Sequence, residues 1–515
     1  MGYSAYNTEH DFNNKFSPIG WNNIWRLSVL ILIFLLSAIL RLRNITAPGE
    51  QVEREYTSAV FARAFYFENN PSIEKWRQEL ARTVMENQPV LEPPLTDYLV
   101  SLIYRLMERE VLWYARFLTS CFWLVGGIFL YLLVKDLLNA DGALVATAYY
   151  LLVPSGILLS RSFQPDALMM MLFLISLYFI LRYFNKPSLQ RLLIAALLTG
   201  ITLLLRPLVL FALMCVFLSL SIYQKRTWKV VFDRQFVIFI LVSLFLPIAY
   251  YGYGIFIAGY MRWKITTSFL PDLYLYKEFW KNWFYLVANE INYPALLVAL
   301  PGFWLLPKGR IRAFAFGLVL GYVIFGLLFT MHIHTHPYYH IQLLPLIGIC
   351  IAPIIIQGIN ALRNTGSKFW WLPVLGVAMV ILIYGYLQVK DFTDSLVFEN
   401  PDTSREIGEI VKHSQRTVFL AYHYGLPLEY YGELSGSYWP RSIDYYLVRP
   451  KGVKELSVQE RLNNLGYKPD YFIITHFKEY STHHQDLQTY LVNNCSLLAQ
   501  TEQYLIYNAC KADGL

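Results

Sequence analysis

The chain alternates long apolar runs with short polar links, and nearly all of the apolar runs are too long for strands. Eleven of them lie at about 24–43, 112–135, 140–159, 165–184, 189–205, 207–223, 234–253, 288–306, 311–330, 339–360 and 369–388, each near the length a helix needs to cross a bilayer. A long wet loop, 44–111, separates the first two. Within it WRQELARTVMEN is amphipathic, and Leu95, Tyr98, Leu99, Leu102, Ile103 and Leu106 recur at three- and four-residue spacing. That segment and the similar Tyr56 to Phe67 stretch are too short to span, so helices lying in the membrane interface are expected. After about Val389 the period changes. TVFLAYHYG, IDYYLV, DYFIITHF and QYLIYNAC read as strands, whereas VQERLNNLGYKP is amphipathic and HHQDLQTYLVNN helix-like. Such alternation predicts a small α/β domain.

Charge orients this pattern. With the N-terminus in the cytoplasm, the loops KDLLNAD, RYFNKPSLQR, YQKRTWKVVFDR, PKGRIR and ALRNTGSK all fall inside, and four of the five are basic, as short cytoplasmic loops are. SRSFQPD, LLRP, residues 254–287 and MHIHTHPYYH then fall outside, and an odd number of spans leaves the tail outside too. The expected organisation is a cytoplasmic segment 1–23, an all-α polytopic membrane domain 24–388 with 44–111 as its first outer loop, and an extracytoplasmic α/β domain 389–515. Of the 515 residues 56% are hydrophobic and only 15% charged, which excludes an ordinary soluble domain. The net charge of +7 resides in the inside loops and does not indicate a nucleic-acid partner. The polar first residues lack a basic n-region, so the first span reads as an uncleaved anchor. Cys121, Cys215 and Cys350 lie in apolar spans as small core residues. Cys495 and Cys510 lie in the tail, where an oxidising compartment would permit a disulfide.

Two acidic segments then stand out on the outer side. The first loop carries Glu50, Glu53, Glu55 and Glu92 with Arg54, Arg63 and Arg82, and Asp166 opens the fourth span in SRSFQPDAL. They are expected to face one another in an extracytoplasmic cavity rimmed by the interfacial helices and open to lipid. An acidic first loop leading to Ala62, Arg63 and Phe65, then Pro93-Pro94-Leu95 with Tyr98 and Leu99, then Ser160-Arg161 with Asp166-Ala167-Leu168, then Arg206, then Pro337, Tyr339 and Pro345, occur in this order. The set resembles the GT-C superfamily of polyprenyl-phosphate-sugar glycosyltransferases, with likeness to protein O-mannosyltransferases and lipid A aminoarabinose transferases, over about residues 25 to 360. The resemblance implies a GT-C-like fold and transfer of a sugar from a polyprenyl-phosphate carrier to a lipid, glycan or protein acceptor on the outer face. It also implies an acidic first-loop residue that acts as base or orients a metal or the acceptor, and basic residues on the lipid phosphate, in a bacterial inner membrane by default. Two positions depart from the pattern: the first loop offers glutamates where the family usually has Asp, and Glu92 stands where it often has Lys or His.

Transfer to a hydroxyl needs a carboxylate within hydrogen-bond reach of it and positive charge on the departing phosphate. Glu53 and Glu55 are two residues apart and share a side only on extended backbone. Since the helical pattern begins near Tyr56, the preceding segment is expected to be a loop, with Glu53 the first candidate and Glu55 the next. Solvating that loop, or pairing with Arg54, is the alternative. Asp166 supports the base, stabilises a helix start, or pairs with Arg161. Arg206 lies between two apolar runs, where a lone arginine is costly unless it meets water or a partner. Its fork suits a phosphate, and snorkelling to headgroups is the alternative. Arg54, Arg161 and Glu92 complete the expected polar lining. His332, His334 and His336 share a face if extended, and His336 and His340 share one if helical. With Tyr339 they are expected to touch phosphate or sugar, or else to ligate a divalent metal completed by Glu53 or Asp166. A transporter or lipid flippase is the rival reading, though no repeat relates the two halves.

Overall fold

A computed structural model describes residues 22–47, 52–90, 92–395, 400–442, 444 and 456–508. Contacts divide the chain into two compact units, Met1–Glu50 with Val90–Thr96 and Leu112–Asp394, and Gln51–Pro89 with Asp97–Val111 and Ser395–Leu515. Most of the first outer loop therefore shares a unit with the tail.

The first unit is helical. Among the described residues eight helices are long and apolar enough to cross a membrane: Asn23–Leu42, Leu112–Leu137, Asp166–Asn185, Pro207–Lys225, Arg234–Ile257, Arg310–Leu328, Pro337–Asn364 and Trp371–Asp391. Ala140–Leu152 and Pro154–Ser160 make a ninth candidate, bent by 59°. The remaining two apolar runs form shorter helices, Leu189–Leu205 and Tyr293–Leu305. Arg206 and Pro207 interrupt the first of these. The second starts late because Asn292 takes a positive φ of 78° before Pro294, so residues 288–291 close the amphipathic Lys277–Ile291 helix instead.

Small residues let these helices approach closely, which drives association where lipid is as apolar as the side chains. A Cβ at Gly321 would sit 2.4 Å from the Phe211 carbonyl oxygen, and one at Gly302 only 1.9 Å from that of Cys350. The bend between Leu152 and Pro154 frees carbonyls that lipid cannot satisfy. Arg41, fully buried on the first helix, donates to the Leu151 carbonyl at 2.8 Å, to Gly156 at 3.3 Å and to the Ser160 hydroxyl at 2.8 Å. One cation from the first span thus caps the break that leads the chain into Arg161 and Asp166.

The second unit contains a five-stranded sheet in the order β2-β1-β3-β5-β4, formed by β1 (Thr417–Leu420), β2 (Gly436–Tyr438), β3 (Tyr471–Ile474), β4 (Leu497–Gln500) and β5 (Leu505–Asn508). β1 pairs in parallel with β2 and β3, and β5 runs antiparallel to β3 and β4. Alternate residues of β1 and β3 feed two cores: Val418, Leu420, Phe472 and Ile474 with Trp439 and Leu487, and Phe419 and Ile473 with Ile407 and Leu428. Central strands covered on both faces read as continuous apolar runs, which is why β1, β3 and β5 were visible in the sequence. β2 and the exposed edge strand β4 were not. IDYYLV lies, apart from Asp444, outside the described residues, as do Glu50 and Cys510.

Three helices of the first loop belong to this unit wholly or in part: Val52–Phe67, Lys75–Asn87 and Leu95–Leu106. Arg63 anchors the first of them. Its Nε donates to both Glu110 oxygens at 2.9 and 3.1 Å, a guanidinium N–H reaches the Tyr430 carbonyl, and the cation lies 3.8 Å from the centre of the Tyr430 ring. Gln88 similarly donates to Glu429 at 3.0 Å. Burial pushes the Glu429 carboxyl up to about 8, against the hydrogen bonds from Gln88 and the Gly436 backbone. Its proton is thus held more tightly folded than unfolded, so this contribution to stability is complete below about pH 4.5 and is lost as pH rises to about 8. Melting of the purified protein across this window should show that slope, and Glu429→Gln should flatten it. Equal slopes would leave Glu429 without a thermodynamic role.

Candidate active site

The Val52–Phe67 helix begins earlier than its apolar periodicity suggested, so Glu53, Arg54 and Glu55 lie in its first turn rather than in a loop. Carboxylates in a first turn favour the helix dipole, and that term outweighs the weak apolar signal there. Two residues apart on a helix, the glutamates diverge. Glu55 is buried, whereas the Glu53 side chain keeps 41% of its surface exposed. Oε1 of Glu53 lies 3.0 Å from Nδ1 of His423. Burial alone would raise the Glu53 carboxyl, but the His423 hydrogen bond, a backbone hydrogen bond and the charges of His423 and Arg441 outweigh it and hold the group below its ordinary range. An ionised, partly exposed carboxylate at neutral pH is the working form of a base.

In the first unit Asp166 opens its helix fully buried, and its partner is Arg206 rather than Arg161. Nη2 of Arg206 lies 2.6 Å from Oδ2 of Asp166. The Leu189–Leu205 helix ends where Arg206 turns to extended backbone, φ −153° and ψ 112°, and this turns the guanidinium off the helix. Among the described residues Arg206 Nε and Asp166 Oδ1 are buried without hydrogen-bond partners. Arg206 also feels Glu92, Tyr338 and Tyr339, and its charge lies 5.4 Å from the Tyr338 ring centre. A buried cation with an open N–H, shared among carboxylates and tyrosines, is the group the sequence assigned to phosphate.

Arg161 is buried and donates to the Asn44 carbonyl, so it ties the segment before Asp166 to the end of the first helix. The histidines disperse. Thr330–Ile333 is a short helix and 337–343 a 3-10 helix, so neither expected alignment forms. His336 is exposed, with its ring 5.4 Å from Tyr338 and 5.9 Å from Tyr339. His340 is fully buried, 2.8 Å from the Tyr322 hydroxyl, and packs the helix interior rather than a surface with His336. His334 bonds the Thr330 carbonyl at 2.7 Å. No group of three or more His, Cys, Asp or Glu side chains able to hold a metal occurs among the described residues. The residues present therefore do not fit the divalent metal considered for this histidine cluster.

The sequence reading missed three polar residues. Lys264 influences His332 together with His336 and Arg206, and its Nζ lies 5.8 Å from the Tyr251 ring centre. Its only signal was a basic residue in the long outer loop 254–287, a weak one because long loops escape the charge rule. Gln164, two residues before Asp166, is buried with neither amide atom hydrogen-bonded among the described residues. His423 comes from the tail, and nothing in its neighbourhood of sequence pairs it with Glu53.

The chain matches the family model of dolichyl-phosphate-mannose-protein mannosyltransferases over residues 91–251, a stretch that holds Glu92, Arg161, Asp166 and Arg206. A sequence search of curated proteins finds no match. Solved structures are similar along almost the whole chain. ArnT from Cupriavidus metallidurans bound to undecaprenyl phosphate superposes with a TM-score of 0.57 at 13% identity, covering 95% of this chain and 98% of that one. The fold is that of the GT-C glycosyltransferases. Two further GT-C structures agree, both from Archaeoglobus fulgidus. The oligosaccharyltransferase with Zn and sulfate matches with a TM-score of 0.54 and 11% identity, over 93% of this chain and 73% of that one. AglB with an inhibitory peptide and a dolichol-phosphate gives 0.53 and 11%, over 95% and 75%. The resemblance seen in the motifs thus extends to the GT-C architecture, helical unit and C-terminal sheet together.

Proposed function

We propose that this chain is an integral membrane glycosyltransferase that moves a monosaccharide from a polyprenyl-phosphate carrier to a hydroxyl of a lipid, glycan or protein acceptor. The observation that carries the reading is the buried Asp166–Arg206 pair with an open guanidinium N–H, in a fold whose solved relatives hold undecaprenyl phosphate or a dolichol-phosphate. Burying an ion pair can cost more than its attraction returns, and a phosphate accepts from a guanidinium fork with both charge and direction.

In the proposed reaction the acceptor's hydroxyl oxygen bonds to C1 of the sugar as its proton passes to a carboxylate, the role that the sequence motifs give to Glu53. The bond from C1 to the phosphate oxygen breaks, and its electron pair leaves with the phosphate, whose charge Arg206 offsets while Asp166 fixes the guanidinium. Attack opposite the departing phosphate inverts the anomeric centre. His336, Tyr339, Lys264 and Glu92 line the donor's polar end. The basic-loop pattern supports an extracytoplasmic site in a bacterial inner membrane, with 24–388 as catalytic membrane domain and 389–515 on the same outer side.

The test follows free polyprenyl phosphate released by purified protein in detergent. Undecaprenyl-phosphate mannose and undecaprenyl-phosphate aminoarabinose serve as donors, with a lipid and glycan extract of a bacterial envelope as acceptor. Protein- and acceptor-dependent release that Asp166→Asn abolishes is expected. A folded protein that releases nothing, yet moves labelled lipid across vesicles, would replace the reading with a flippase.

A further inference from the structure

Glu53 is held by a residue from the far end of the chain. Within the second unit the turn Tyr422–Gly425 follows β1 and presents His423 to the first turn of the Val52–Phe67 helix. An ionised carboxylate only accepts hydrogen bonds, so the imidazole Nδ1–H donates. His423 and Tyr424 both take left-handed backbone, φ 51° and 58°, a conformation non-glycine residues hold only when their surroundings impose it. The surroundings here are specific. Tyr422 stacks on His476 with ring centres 4.0 Å apart, Tyr424 donates to Asp444 at 3.0 Å, and Arg441 lies 4.1 Å from the centre of the Tyr424 ring. The turn is clamped on both sides of His423.

The charged groups facing this contact come from four elements. The Val52–Phe67 helix supplies Glu53, the turn supplies His423, the segment after β2 supplies Arg441 and Asp444, and the start of the Phe477–His483 helix supplies His476 and Glu479. Arg441 acts on Glu53 and on His476, and His476 also feels Glu479 and His423. The cations near Glu53 favour its ionised form.

We propose that His423 is a positioning residue for Glu53, holding Oε1 so that Oε2 is aimed and free to take the acceptor's proton. The inference rests on the reading of Glu53 as the base. The proton moves from the acceptor oxygen to Oε2 while the hydrogen bond to Oε1 stays in place.

The experiment uses the full-length protein and the polyprenyl-phosphate release assay. His423→Ala is expected to lower kcat about 10- to 100-fold, as small misplacements of reacting groups do, with donor KM unchanged. The acid limb of kcat/KM should move up toward the ordinary glutamate range. His423→Asn places an amide N–H where Nδ1 was and tolerates left-handed backbone, so it should recover kcat while the acid limb stays displaced. Melting of each variant reports folding. Wild-type kcat and an unmoved acid limb in His423→Ala would overturn the proposal. So would an Asn variant as slow as Ala with an unmoved limb, which marks a purely structural contact. Glu53→Gln separates the two readings: if it transfers normally the base assignment fails, and if it is dead while His423→Ala is normal only this inference fails.

Discussion

Replacing Arg206 with alanine is expected to cut polyprenyl-phosphate release by about 10²- to 10³-fold, the usual cost of removing a preorganised group from developing charge. It should also destabilise the protein by about 3–5 kcal/mol, because Asp166 is left charged and buried without its partner. These two effects can be parted. Adding Asp166→Asn to Arg206→Ala removes the orphaned charge, and replacing both members of a buried pair is often nearly neutral. The double variant should therefore regain its melting temperature and stay inactive. Arg206→Lys keeps the charge but not the fork that reaches Asp166 through Nη2 while leaving Nε open, so it should fall between wild type and Ala. Recovery of both stability and transfer in the double variant would reduce Arg206 to a structural residue.

Glu53→Gln should lower kcat about 10²- to 10⁴-fold, the range over which a positioned base contributes. Folding should be untouched, since the side chain is 41% exposed and glutamine still accepts from His423. Glu55 provides the contrast, because it is buried and its substitution should act on melting before it acts on kcat. In the wild type the acid limb of kcat/KM should fall below the ordinary glutamate range, as Glu53 is held below it. The steady-state rates of these two variants, together with their melting curves, check the assignment. Full activity in Glu53→Gln would move the base elsewhere.

What was legible in the sequence had a local cause. Apolar runs become helices because a bilayer offers backbone groups no other partner, so all eleven are helical, and continuous apolar strands announced β1, β3 and β5. The candidate residues read least reliably where the deciding term was local but weak: the helix begins at Val52 because carboxylates suit a first turn, not because its apolar pattern starts there. The histidine segment shows the opposite failure. Its spacing permitted two alignments, and the packing of His340 against Tyr322 chose neither.

By itself the sequence determined the membrane class, the order and approximate ends of the helices, the α/β character of the tail, and a resemblance resting on Arg161, Asp166, Arg206 and the Pro-Pro-Leu stretch. These follow from periodicity, charge placement and short-range spacing, which neighbours along the chain suffice to set. The tertiary structure alone decided that Asp166 pairs with Arg206 and not Arg161, that Arg41 caps a broken span, and that His423 holds Glu53. Those partners lie 40, 110 to 119 and 370 residues apart, and only the closure of the fold brings such pairs within hydrogen-bond range.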